Sequence, residues 1–285
     1  MDIFMSRGYI GFEKLDAGGQ ANVYKTSKNG QDYAIKVVHV EDPKNPKLDD
    51  DLKRELQIVR NLRHPNCIYV EELFRTRNKI YIVMHFMPNG NIGNVVRRNG
   101  PLCEWNAKLW YCPIARAIKY LHEHKIAHRD LKLDNVLLDA HLNPILTDFG
   151  FSRFVQFGPD EQVVVSDTYC GTTSYNPPEI LKETPYNPFP GDVWCLGIML
   201  FIMLNQIYPF DRHDKVKMYN DQMTRNYKLQ ETVETRSSAQ VKDLIDLQLE
   251  PDPSKRPTIQ SLCKHCWFPI ILNESELISN TSQLQ

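Results

Sequence analysis

The stretch "IAHRDLKLDNVLLD" (residues 126–139), followed by "ILTDFGFSR" (145–153), decides how this chain is read. Asp130 and Asn135 stand five residues apart, and Asp148 comes thirteen after Asn135. Each aspartate taken alone would pass as a turn or helix-cap residue, because its short side chain bonds readily to nearby backbone. Together the three supply two carboxylates and an amide, oxygen donors that suit a hard cation such as Mg²⁺. With a lysine added, the set meets the needs of metal-assisted phosphoryl transfer. One carboxylate orients a hydroxyl, while an amide and a second carboxylate hold the metal that bridges the phosphates.

The lysine is found upstream. Lys36 lies within "YAIKVVHV" (33–40), whose β-branched and aromatic residues predict a strand. Alone it would read as a lysine snorkelling from a sheet edge. A partner changes that reading. "DDDLKRELQIVRNL" (49–62) places Leu52, Leu56, Val59 and Leu62 at helical spacing and carries Glu55, a carboxylate able to pair with Lys36. Before the strand, "LDAGGQANVY" (15–24) holds two adjacent glycines that lead into a strand pattern rather than a helix, which excludes a dinucleotide-binding fold.

"KIYIVMHF" (79–86) predicts a second strand and "MPNGN" (87–91) a break. Beyond the break the pattern turns helical, at 104–125, near 193–204 and at 238–250. A stretch from about 151 to 190, rich in Gly, Pro, Ser and Thr, reads as a functional or disordered loop. The fold class expected is therefore α+β and bilobal: a small β-rich lobe, a hinge and a larger helical lobe. Ligand sites favour the cleft between such lobes.

Bulk properties narrow the partners. The 285 residues are 42% hydrophobic, and 34 basic against 35 acidic residues give a net charge of -1. Neither nucleic acid nor a membrane surface is an expected partner of so balanced a chain. Seven scattered cysteines fit reduced thiols, and Cys263-x-x-Cys266 beside His265 lacks the second pair that a zinc site needs. The apolar run Val193 to Leu204 is too short for a bilayer and reads as a buried helix. The N-terminal residues show no secretory signal, so a monomer in the cytoplasm or nucleus is expected.

In the order and spelling of its motifs, H-R-D-L-K-x-x-N, D-F-G and the upstream Ala34-Ile35-Lys36, the chain resembles a eukaryotic protein kinase domain from residue 9 to 268. The resemblance implies an N-lobe over about 9–86, a hinge near 85–91, a C-lobe over about 92–268, and a short polar tail at 269–285. It implies ATP and Mg²⁺ as cofactors, with protein substrates and an upstream activating kinase as partners. Lys36 matches the phosphate-anchoring lysine, Glu55 its helix partner and Asp130 the catalytic base. Asn135 and Asp148 match the metal ligands, while His128 and Phe149 match packing residues that link the metal site to the Glu55 helix. Leu15, Gly18, Val23, Ala34 and Leu137 match positions around the nucleotide. Met84 occupies the gatekeeper position, and His85 to Met87 form the hinge. Lys132, with Gly171-Thr172, marks the serine/threonine class, and Thr172 is expected to bond toward Asp130 and Lys132. Glu179 and Arg256 match a buried ion pair, and Asp192 a carboxylate that ties down the catalytic loop. Thr168 matches an activation-loop threonine whose phosphate would pair with Arg129; Ser166 is a second candidate.

"TDFGFSR", "TYCGTTSY", "GDVWCLGIMLFIML" and "PFDRHDKVKM" are most similar to the testis-specific serine/threonine kinases of the calmodulin-dependent/AMP-activated branch. Three departures bear on function. The glycine loop aligns Asp16, Gly18 and Ala21 with the three usual glycines, which predicts weakened ATP binding. Gln20 replaces the usual aromatic tip. Asn91 stands where relatives carry an acid, which leaves Asp134 as one acidic substrate contact and only a modest preference for basic substrates. Two classes of function are open: an active kinase, or a scaffold that keeps the fold without turnover. The retained Lys36, Glu55, Asp130, Asn135 and Asp148 favour the first.

Overall fold

The computed structural model describes residues 2–17, 21–39, 46–76 and 78–269. Gly18, with its neighbours Gly19 and Gln20, lies outside the described residues, as do the side chains of Asp16 and Leu52.

Five antiparallel strands form the N-terminal sheet: β1 Ile10–Ala17, β2 Ala21–Lys28, β3 Gln31–His39, β4 Val70–Arg75 and β5 Lys79–His85. Their order is β1-β2-β3-β5-β4, so β3 lies at the centre. Asn29 and Gly30, both at positive φ, turn β2 directly into β3, the chemistry a tight hairpin demands. Side chains alternate across a strand. Ile35 and Val37 therefore face one way, into an aromatic layer with Tyr81, Phe74 and Tyr9. Ala34, Lys36 and Val38 face the other way. On that second side Val38, Ile80 and Ile82 pack against Leu56 of α2, Pro46–Asn61. The period of two is thus what turns Lys36 toward the helix that carries Glu55.

A short helix, α1 Asp2–Met5, precedes the sheet, and its Phe4 inserts among Phe12, Phe74 and Tyr81 with ring centroids 4.9–5.5 Å apart. The sequence pattern gave no sign of this element, which is too short to show periodicity.

The larger lobe contains α3 Ile92–Asn99, α4 Glu104–Glu123, α5 Pro178–Leu181, α6 Pro188–Asn205, α7 Lys215–Met223, α8 Glu231–Arg236, α9 Ala239–Gln248 and α10 Ile259–Leu262. Two small antiparallel pairs join it: β6 Ile126–Ala127 with β9 Arg153–Phe154, and β7 Val136–Leu138 with β8 Pro144–Leu146. Helix α6 is apolar on every side because it is enclosed on every side, and Trp194, Leu196 and Phe201 are fully buried. Arg256 Nη1 donates to Glu179 Oε1 at 2.9 Å, which fixes α5 against the chain beyond α9. The residues from 151 to 190 are ordered by backbone pairing. Phe157 bridges Val163, Ser166 bridges Tyr186, and a 3-10 turn spans Thr173–Tyr175.

Candidate active site

The catalytic loop is positioned by one buried carboxylate. Asp192, in the first turns of α6, accepts hydrogen bonds from the backbone N–H of Arg129 on Oδ1 (2.8 Å) and of His128 on Oδ2 (2.9 Å). The Nε2 of His122, on α4, lies 2.9 Å from the same Oδ2. Burial opposes the charge on Asp192, yet the His122 bond and charge, with His128 and the Arg129 N–H, outweigh it and hold the carboxyl below its usual range. The tie is needed because Arg129 sits at φ 66°, a left-handed conformation that L-residues other than Asn, Asp and Gly avoid. His122 has no motif around it and was not singled out in the sequence.

From this anchor the chain delivers Asp130, which is 3% exposed and saturated with donors. Its Oδ1 accepts from the backbone N–H (2.9 Å) and the hydroxyl (2.8 Å) of Thr172. Its Oδ2 accepts from Lys132 Nζ (2.7 Å) and Asn135 Nδ2 (3.0 Å). Lys132 Nζ also donates to the Thr172 hydroxyl at 2.9 Å. The approach of residue 172 depends on Gly171, at φ 95°, where a Cβ would lie 2.6 Å from the Arg129 carbonyl oxygen. Only glycine fits there.

Above this group, Lys36 Nζ lies 2.6 Å from Glu55 Oε1 and 3.5 Å from Asp148 Oδ1. Burial works against the Lys36 ammonium, but the two carboxylates more than offset it and raise its pKa. Burial likewise opposes the Asp148 carboxylate, and Lys36, His128 and Lys132 hold it below its ordinary value. Both groups are therefore charged at neutral pH. Asp148 is in a left-handed conformation (φ 59°), and Phe149 behind it is buried with its ring 5.1 Å from His128.

The donor set can be tested for a metal. Asn135 directs its amide nitrogen at Asp130, to the carbonyl oxygen (2.9 Å) and to Oδ2, and its own Oδ1 accepts no hydrogen bond from a described residue. The Asp148 side chain is 44% exposed. Among the described residues no three His, Cys, Asp or Glu gather into an all-protein cage. Magnesium in phosphate sites is held by one or two side chains together with the substrate phosphates and water. Asp148 and Asn135 fit that role.

Of the apolar positions expected around a nucleotide, Val23, Ala34 and Met84 lie on the strands that carry and neighbour Lys36, and Leu137 lies on β7. Register pairs Val23 with Lys36, and Ala34 with Met84. Val23, Ala34, Met84, Met87 and Leu137 are each half-buried, short of the closure seen in the core, whereas Leu15 and His85 are exposed. The segment after β5 reaches Leu137 through a bridge at Asn91, and Leu138 N donates to Gly90 O at 2.8 Å. Asn91 also caps α3: its Oδ1 accepts from Asn94 N at 2.7 Å, which leaves its amide nitrogen for a ligand.

The regulatory candidates separate. Arg129 Nη1 donates to Ser166 Oγ at 3.4 Å, and Thr168 N donates to the same oxygen at 3.2 Å. Thr168 is further held through its carbonyl, which accepts from the Tyr186 hydroxyl at 3.1 Å. Ser166 is thus the hydroxyl next to Arg129. Asp134 is held by Arg97 of α3, whose Nη2 donates to Asp134 Oδ1 at 2.7 Å. Arg97 was not picked out in the sequence, because α3 is too short to show its face there.

The sequence profile of the family described as "Protein kinase domain" matches residues 9–268. The chain belongs to this family. It is 36% identical to human testis-specific serine/threonine-protein kinase 3 over 271 residues, which cover 94% of this chain and 98% of that protein. It is 32% identical to mouse testis-specific serine/threonine-protein kinase 1 over 93% of this chain and 73% of that one. A plant relative, CBL-interacting serine/threonine-protein kinase 13 of Arabidopsis thaliana, is 35% identical over 93% of this chain but only 52% of its own length. In this kinase domain Lys36 of the β-sheet lobe meets Asp148 of the helical lobe at 3.5 Å.

Proposed function

We propose that this kinase domain transfers the γ-phosphate of ATP to serine or threonine hydroxyls of protein substrates. The observation that carries the proposal is the assembled pair Lys36–Glu55, with Lys36 also at Asp148, above a buried Asp130. A scaffold without turnover has no use for that alignment. The match of relatives named serine/threonine kinases, and Lys132 at its place beside Asp130, support the hydroxyl class.

The mechanism follows from the residues. Val23, Ala34 and Leu137 would bind the adenine by flat apolar contact, with Leu15 and Met84 near it, and Gly18 would belong to the loop over the phosphates. The backbone of His85 to Met87 would pair with its edge, and Asn91 with the ribose. Lys36, aimed by Glu55, would anchor the phosphates. Asp148 and Asn135 would hold Mg²⁺, which would supply positive charge to offset the charge of the phosphates and of the transferring group. Asp130 orients the substrate hydroxyl and takes its proton as the oxygen attacks the γ-phosphorus and the bond to the β-phosphate oxygen breaks. Lys132 places an ammonium beside the reacting group, and Thr172 fixes both Lys132 and Asp130.

Phosphorylation of Thr168 by an upstream kinase would control the activity. A phosphate there adds acceptor oxygens within a segment already lying against Arg129 through Ser166. Thr168→Ala should lower transfer by about tenfold, a reduction in the range of one charge-assisted contact. Unchanged transfer, with no phosphate on Thr168 of the active protein, would remove this element.

The test of the activity itself is transfer of labelled γ-phosphate to a generic protein substrate. Asp148→Asn should reduce it by at least about a hundredfold. Transfer that does not distinguish the variant from the unaltered protein would sink the proposal.

A further inference from the structure

We propose that Arg97 takes, from within the chain, the place a basic substrate residue would occupy, so that acceptor sequences are chosen without a basic requirement. The inference rests on the kinase reading and sharpens its substrate class. Asp134 lies on the catalytic side of the 3-10 turn Leu133–Asn135, between Lys132 and Asn135, and is the acidic group expected to attract basic substrates. Its Oδ1 is already taken by Arg97 Nη2 at 2.7 Å.

Arg97 is set up for this contact from several sides. The same Nη2 donates to Asn94 Oδ1 at 2.7 Å, one helical turn back on α3. Its carbonyl accepts from Gln206 Nε2 at 3.1 Å, which pins the end of the helix. Gly93 leaves the room: a Cβ there would lie 3.0 Å from Asp134 Oδ1 and 3.2 Å from Arg97 Nη1, so one of the two would have to move.

Among the described residues that line the neighbouring groove, the one carboxylate is already partnered. A groove of about 420 Å³ runs from Arg97 past Tyr175, Ile202 and Tyr208 to Arg212. The acid on its wall, Asp211, is matched by Lys217 Nζ at 3.2 Å and by the His213 backbone N–H at 3.0 Å. Arg212 stacks over the Tyr208 ring at 5.0 Å and adds positive charge, with His213 beside it. Asn91 is neutral. A substrate arginine would have to displace Arg97 and would face Arg212, whereas an apolar or aromatic side chain meets walls of its own kind.

Positional scanning of a serine peptide, one flanking position varied at a time, tests this. The unaltered protein should phosphorylate arginine and alanine variants at a ratio near one upstream of the serine. Arg97→Ala exposes Asp134 and should raise that ratio to about fivefold, as expected of an exposed ion pair. Arg97→Ala with Asp134→Asn should bring it back near one. A merely structural role for Arg97 would lower transfer to every peptide in proportion and leave the ratio unchanged. The proposal is overturned if the unaltered protein already favours arginine tenfold, or if Arg97→Ala leaves the ratio at one while transfer still depends on Asp148. Absence of Asp148-dependent transfer to any peptide would instead defeat the kinase reading, and this inference with it.

Discussion

Asp130 and Asp134 stand four residues apart in the sequence and in opposite physical settings. Asp130 is buried and accepts four hydrogen bonds, on a loop whose backbone is tied to a second buried carboxylate. Asp134 is 37% exposed and held by one guanidinium that is itself more than half exposed. Contacts of the first kind are satisfied in a low-dielectric interior, where loss of one partner strands the others. Contacts of the second kind are screened by water and exchange readily. On the proposed function the interior network would fix the reaction, and the rim would tune substrate choice.

That contrast can be broken at its strongest point through Asp192. Asp192→Ala leaves the N–H groups of His128 and Arg129 without an acceptor and His122 without its partner. Each orphaned buried group costs about 1–3 kcal/mol, so the expected loss in denaturant unfolding is roughly 3 kcal/mol or more. An unchanged midpoint would show that the network does not hold the loop. Asp192→Asn, which keeps an acceptor oxygen, should lose less.

A smaller effect concerns pH. The folded pKa of Asp192 is depressed, because its His122 and Arg129 contacts outweigh the opposing burial. Its stabilisation is therefore complete above the ordinary aspartate value of about 3.9 and is lost as pH falls through the folded value. The stability gap between the unaltered protein and Asp192→Asn should be constant above about pH 5 and shrink in more acid solution. A gap that widened on acidification would reverse the assigned sign. The smallest effect belongs to the rim. Asp134→Asn should change stability by less than about 1 kcal/mol in the same assay.

Much of this was readable before any coordinates. The β-branched and aromatic stretch 33–40 put Lys36 on a strand, and helical spacing put Glu55 on a helix that could meet it. The H-R-D and D-F-G spellings singled out Asp130, Asn135 and Asp148; in the structure Asn135 Nδ2 lies 3.0 Å from Asp130 Oδ2, and Lys36 Nζ lies 3.5 Å from Asp148 Oδ1. What escaped was tertiary. Phe4 inserts into the aromatic layer from a helix of four residues, too short for a pattern. His122 meets Asp192 across 70 positions of chain with no motif to announce it. The loop around 151–190 is ordered by single bridges such as Ser166 to Tyr186, and no propensity encodes a lone backbone pairing. Arg97 reaches Asp134 only because Gly93 leaves space between α3 and the catalytic loop.

On the proposed function Asp130 would act on the substrate hydroxyl while separate residues bind the nucleotide. Asp130→Asn, assayed in parallel for Mg-ATP binding and for phosphate transfer, tests it most directly. Transfer should fall about 10²–10⁴-fold, with the Mg-ATP dissociation constant changed by less than about threefold. Equal transfer by the variant and the unaltered protein, or nucleotide binding by the unaltered protein with no transfer at all, would contradict that role.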